Sequence, residues 1–213
     1  MSLLVKICGI TNLADAQAAV DAGADALGFM FYEPSARNIA PAAAREIIAQ
    51  LPPRVAKVGV FVNAPAEVIH RMAAECGLDT VQLHGEETPE FCAQFAPLKV
   101  WKAVRVRAES SLRALPAYET DAWLLDSYVA GHAGGTGEKF NWELAVAAKA
   151  LGRPIILAGG LTPANIASAV QQVRPFGVDV SSGVEAAPGR KDAAKMRAFI
   201  AAAKVEVGGK EGR

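Results

Sequence analysis

Eight short apolar runs punctuate the chain, at residues 3–7, 26–29, 55–62, 80–83, 100–104, 122–125, 155–157 and 177–180. Each is nearly continuous in its apolar character. That predicts strands buried on both faces, and so a parallel sheet covered by helices. The intervening segments are alanine-rich with helical spacing, as in residues 13–20, where Asn12 is placed to cap the helix start. Pro41, Pro65, Pro89 and Pro163 fall near expected helix starts, and Gly23 and Gly77 fall at expected helix ends. The pattern predicts eight strands, each followed by a helix.

Eight such units close into a (β/α)8 TIM barrel, an α/β fold, over residues 1–205. An open doubly wound sheet would announce itself by Gly-x-Gly-x-x-Gly after the first strand. The first loop here reads Cys8-Gly9-Ile10-Thr11-Asn12 and lacks it. No linker divides the chain, and residues 206–213 are expected to form a disordered C-terminal tail.

Charge narrows the partners. Lys and Arg total 22 and Asp and Glu total 22, so no overall field favours nucleic acid or an anionic membrane. No apolar run approaches the roughly 20 residues that span a bilayer. The first residues lack the basic and hydrophobic regions of a secretory signal. Three cysteines without metal-ligand spacing argue for a reducing compartment. The expectation is a cytoplasmic protein that uses no metal.

Candidate chemistry sits at strand ends, where barrels of this kind carry it. Cys8 closes the first run and Asp126 follows the sixth, so two strand ends offer two proton-transfer groups. The last two units each run from a strand into glycines, Gly159 and Gly160 in one, Ser181, Ser182 and Gly183 in the other. Glycine lets backbone N–H groups approach an anion, which makes these loops candidates for binding a phosphate group. Tight turns alone are the competing account. Gly134-Gly135-Thr136-Gly137 lacks the Gly-Lys-Ser/Thr ending of a P-loop.

Taken in order, these blocks resemble the phosphoribosylanthranilate isomerase family of tryptophan biosynthesis. The resemblance runs through Lys6-Ile7-Cys8-Gly9-Ile10-Thr11, Gly28-Phe29-Met30-Phe31 with Ser35-Ala36-Arg37, and Val58-Gly59-Val60-Phe61-Val62-Asn63. It continues in Val81-Gln82-Leu83-His84-Gly85, Leu125-Asp126-Ser127, Gly134-Gly135-Thr136-Gly137 and Phe140-Asn141-Trp142. Ala158-Gly159-Gly160-Leu161 and Asp179-Val180-Ser181-Ser182-Gly183-Val184-Glu185 complete it.

The resemblance implies an Amadori rearrangement of an aminoaldose phosphate to a ketose, with no cofactor. It makes Asp126 the general acid, Cys8 the general base and Arg37 the holder of the anthranilate carboxylate. An acid at work near neutral pH calls for a carboxyl pKa above the reference ~3.9, and a thiolate base for one below ~8.5. His84 would either orient substrate or serve as a hydrogen-bonded structural histidine. Lys6 is read as directed to the opposite side of its strand, and Asp179 is left outside the catalytic set. His70, His132, Cys76, Cys92, Trp101, Trp123 and Trp142 are read as structural. The alternatives are an isomerase of the related histidine-pathway aminoaldose or a non-catalytic phosphosugar-binding barrel. Monomer and homodimer are both compatible with the pattern.

Overall fold

The computed structural model describes residues 3–126 and 142–208; His132 and the fragment Gly134-Gly135-Thr136-Gly137 lie outside the described residues. All eight expected strands form: β1 (Leu4–Cys8), β2 (Ala26–Met30), β3 (Ala56–Phe61), β4 (Thr80–Leu83), β5 (Lys99–Arg105), β6 (Ala122–Asp126), β7 (Ile155–Ala158) and β8 (Gly177–Val180). They pair in parallel in chain order, and β8 closes on β1 with Lys6 aligned to Asp179. The result is a closed (β/α)8 barrel.

Seven helices surround it among the described residues: α1 (Leu13–Asp21), α2 (Pro41–Ile48), α3 (Ala66–Cys76), α4 (Pro89–Cys92), α5 (Trp142–Lys149), α6 (Ile166–Val173) and α7 (Ala193–Gly208). The Asn12 side chain accepts the Asp15 amide at 2.9 Å and so caps α1. Pro41 and Pro89 occupy the first turns of α2 and α4, while Pro65 stands one step earlier, at the cap of α3. The expected boundary between residues 205 and 206 falls inside α7, and residues 209–213 lie outside the described residues.

Two local expectations differ. After β5 the chain makes two 3-10 turns, Glu109–Leu112 and Leu115–Ala117, where an α-helix was expected. Ser111 Oγ accepts the backbone N–H groups of Arg107 and Ala108 at 3.2 and 3.4 Å, a local alternative to helical bonding. Pro116 then removes a donor from the following turn. After β7, Pro163 lies in a turn and α6 starts only at Ile166. Asn165 shapes that turn, accepting the Thr162 amide at 2.8 Å and donating to the Gly160 carbonyl at 2.9 Å.

Strand alternation sorts the core into two shells. Leu4, Ala26, Val58, Trp101, Ala103, Ala122, Leu124, Ile156 and Ala158 pack together inside the barrel. Val5, Ile7, Leu27, Phe29, Val81, Leu83, Trp123, Leu125, Leu157 and Val178 face the helices. Beyond β8 the chain adds a small antiparallel ribbon, β9 (Glu185–Ala187) with β10 (Arg190–Lys191), that eight apolar runs do not reveal.

One outer-shell position of β5 carries a charge. Lys102 donates to Glu87 Oε2 at 2.6 Å and to the Gly85 carbonyl at 2.6 Å, and both side chains are 3% exposed. Glu87 in turn accepts the backbone N–H groups of Asn63 at 2.8 Å and Gly85 at 2.9 Å. The pair therefore ties the β3 and β4 loops to β5. Removing one partner strands a buried charge, so Lys102→Ala is expected to lower stability by about 3–5 kcal/mol. The double variant Lys102→Met/Glu87→Gln is expected to recover much of that loss in urea unfolding.

Candidate active site

Because side chains two apart on a strand share a face, Leu4, Lys6 and Cys8 all point into the barrel. Lys6 is completely buried, and its ammonium donates to Asp179 Oδ1 at 2.9 Å across the β1/β8 seam. This corrects the reading that sent Lys6 to the opposite side: period two already puts it with Cys8. Burial works to lower the Lys6 ammonium pKa, but Asp179 and Cys8 outweigh it and hold the group above its ordinary value. Burial outweighs Lys6, the main opposing influence, and with Asp179 holds the Cys8 thiol above its ordinary value, the reverse of the lowered pKa expected of a thiolate base. Gly28, aligned with Cys8 on β2, makes room for both. A Cβ there would lie 2.7 Å from Cys8 Sγ and 3.1 Å from Lys6 Nζ.

Asp126 ends β6 on the same inward face as Ala122 and Leu124, at the same end of the barrel as Cys8. Its Oδ2 lies 3.4 Å from His84 Nε2, and the Asp126 and His84 side chains are 28% and 21% exposed. His84 Nδ1 meets Gln82 Nε2 at 3.0 Å. Arg105 is aligned with Asp126 on the neighbouring strand.

Arg37 closes a second side of the mouth. Its Nε and Nη2 donate to the two oxygens of Glu185 at 2.8 and 2.7 Å, a bidentate fork. Lys191 donates to Glu185 Oε1 at 2.9 Å and to Ser181 Oγ at 3.4 Å. Hydrogen bonding to Glu185 chiefly holds the Arg37 guanidinium above its usual pKa. Burial works to raise the Glu185 carboxyl, but Arg37 and Lys191 overcome it and keep the group below its ordinary value. Neither Glu185 nor Lys191 is among the expected site residues, although Glu185 closes the last block that carries the family resemblance. The glycine loops meet as well. Gly183 lies against the Leu161 carbonyl so closely that any Cβ would collide with it, which joins the loop after β7 to the loop after β8.

Cys8, Arg37, His84, Asp126 and both glycine loops thus gather at the C-terminal end of the strands. A family model described as N-(5'-phosphoribosyl)anthranilate isomerase matches residues 5–202. The chain belongs to the N-(5'-phosphoribosyl)anthranilate isomerase family. An N-(5'-phosphoribosyl)anthranilate isomerase of Pelobacter propionicus is 59% identical over 200 residues, covering 94% of this chain and 95% of that relative. The crystal structure of the phosphoribosyl anthranilate isomerase of Thermotoga maritima superposes with TM-score 0.91 at 47% identity, covering 95% of this chain and 99% of that one. A second solved member of the isomerase family, in complex with reduced 1-(o-carboxyphenylamino)-1-deoxyribulose 5-phosphate, gives TM-score 0.87 at 46% identity over 95% and 99% of the two chains.

In this isomerase framework Cys8 is a thiol whose ionisation responds to burial, Lys6 and Asp179 together. Lys6 lowers the Cys8 pKa more than Asp179 raises it. Removing both charges as Lys6→Met/Asp179→Asn is therefore expected to move thiolate formation to higher pH. Alkylation by iodoacetamide across pH, with Cys76 and Cys92 replaced by alanine, measures the shift. An unchanged or lower midpoint would show that Lys6 does not govern the thiol.

Proposed function

We propose that the chain catalyses the Amadori rearrangement of N-(5-phosphoribosyl)anthranilate to 1-(2-carboxyphenylamino)-1-deoxyribulose 5-phosphate, with Asp126 as general acid and Cys8 as general base. The observation that carries this reading is the placement of the two groups. Each is the last residue of an inward-facing strand series at one end of the barrel, with β7 and β8 between them. Asp126 gives a proton to the furanose ring oxygen as the bond from C1 to that oxygen breaks, leaving an iminium at C1. The Cys8 thiolate then removes the proton on C2, and that electron pair forms the C1–C2 double bond of an enolamine. Loss of the C2 hydroxyl proton and gain of one at C1 give the ketose. Lys6 supplies the positive potential that offsets part of the rise burial imposes on the thiol.

Arg37 is proposed to hold the anthranilate carboxylate. Glu185 takes Nε and one N–H of Nη2, which leaves the donors of Nη1 and the second Nη2 N–H for the carboxylate. The sugar phosphate is assigned to the backbone N–H groups of Gly159, Gly160, Ser182 and Gly183, supported by the close contact between their two loops. Ser181, whose hydroxyl lies against Lys191, sits at the Arg37 side of this cradle. This reading carries a small phosphorylated substrate and a cytoplasmic setting. Among the described residues no helix is long and apolar enough to cross a membrane.

Turnover of freshly generated substrate, followed by loss of anthranilate fluorescence, tests the assignment. Cys8→Ala and Asp126→Asn are each expected to lower kcat by about 100- to 10,000-fold. Arg37→Ala is expected to raise KM by about tenfold or more, the value of a charge-assisted bidentate contact. Full turnover in the Cys8 or Asp126 variant would move the chemistry to other residues. Binding without turnover in the native chain would make it a phosphosugar-binding barrel.

A further inference from the structure

One buried polar atom at the barrel mouth is left without a partner. Oε1 of Gln82, on a side chain 1% exposed, receives no hydrogen bond among the described residues. The other end of the same amide lies on His84 Nδ1, and His84 Nε2 faces Asp126. Burying an amide oxygen unpaired is unfavourable, and a half-turn of the amide pairs that oxygen with the ring while moving the Nε2 donors to where it stood.

The direction of the amide decides which ring nitrogen carries the proton. With Gln82 Nε2 donating to Nδ1, the neutral imidazole must carry its proton on Nε2 and offers it to a carboxylate at Asp126. With the amide turned by half a revolution, Oε1 accepts from Nδ1–H. His84 Nε2 then either accepts the proton of a carboxylic acid at Asp126 or, with that proton moved across, faces a carboxylate as an imidazolium. The turned arrangement holds one proton more than the first. It is the form that can act as an acid.

We infer that His84 and Asp126 share the proton delivered to the ring oxygen, and that Gln82 orients the imidazole for this by accepting from Nδ1–H. The inference rests on Asp126 being the acid, as proposed above. One proton leaves the pair for the ring oxygen, the electron pair of the broken C1–O bond stays on that oxygen, and water returns a proton to the partly exposed carboxylate of Asp126. His84 acts through Asp126 and is a positioning residue; Gln82 acts through His84. Arg105, in register with Asp126, is the charged neighbour on the strand between β4 and β6.

The test combines steady-state kinetics with the protonation pattern of the ring. His84→Gln is expected to lower kcat by about 10- to 100-fold while KM stays within about twofold. Adding it to Asp126→Asn is expected to cost nothing beyond about twofold, because both changes break one unit. Two-bond 1H–15N spectra of the free wild-type protein near neutral pH should place the His84 proton on Nδ1, and Gln82→Leu, which keeps the side chain's bulk, should abolish that preference. A ring protonated only on Nε2, wild-type kcat in His84→Gln, or losses that multiply in the double variant would each overturn the inference. Full turnover in Asp126→Asn would instead remove the acid assignment, and the shared proton with it. Collapse in Asp126→Asn beside an unaffected His84→Gln would remove the sharing alone.

Discussion

The barrel closes on a buried lysine and a buried aspartate. Lys6 of β1 and Asp179 of β8 meet at 2.9 Å where the last strand pairs with the first. Neither would tolerate the interior alone, since an isolated buried charge is far more costly than a paired one. The requirement that they meet fixes the register of the closing seam. The same register sets Cys8 one inward position above Lys6 and Ser181 one inward position above Asp179. The Cys8 thiol and the first residue of the loop after β8 thus take their places from a single ion pair.

The same device recurs around the mouth. Lys102 with Glu87 secures the loop that carries His84, and Lys191 with Glu185 steadies Arg37. In each case a lysine is taken out of water and its charge is matched within the fold. Surface pairs contribute little and leave their side chains mobile, whereas buried, multiply bonded pairs hold geometry. Polar groups accumulate where strands end, while Leu4, Ala26, Ala122 and Gly177 line the interior near the strand starts. The gradient puts the chemistry at one end and the packing at the other.

How much of this was legible depended on whether the signal lay in one segment or between two. Eight apolar runs gave all eight strands, because burial on both faces leaves an unbroken apolar word in the sequence. Cys8, Asp126, Arg37 and the glycine loops were visible as residue types at strand ends. Lys6 was misread although period two settles its side, because a charged residue inside a barrel makes sense only once its partner is known. That partner, Asp179, lies at the other end of the chain and joins Lys6 only on closure. The role of Glu185 was hidden because Arg37, which it grips, lies far back in the chain, and the missing helix after β5 because Ser111 and Pro116 override an otherwise helical composition.

The proposed chemistry also gives a reason for the unequal burial of its two groups. In the rearrangement the proton taken from C2 is matched by one gained at C1, so the base can return what it removes to the adjacent carbon of the same bound molecule. Such a group gains from being dry, and Cys8 is 6% exposed beside a completely buried ammonium. The ring oxygen, by contrast, keeps the proton it receives, and the one released from the C2 hydroxyl leaves from a different atom. An acid emptied in this way must be refilled from outside the reacting carbons. Asp126 and His84 stand where water reaches them, with 28% and 21% of their side chains exposed. One side of the mouth is sealed around a proton that stays with the substrate, and the other is open to a proton that has to be replaced.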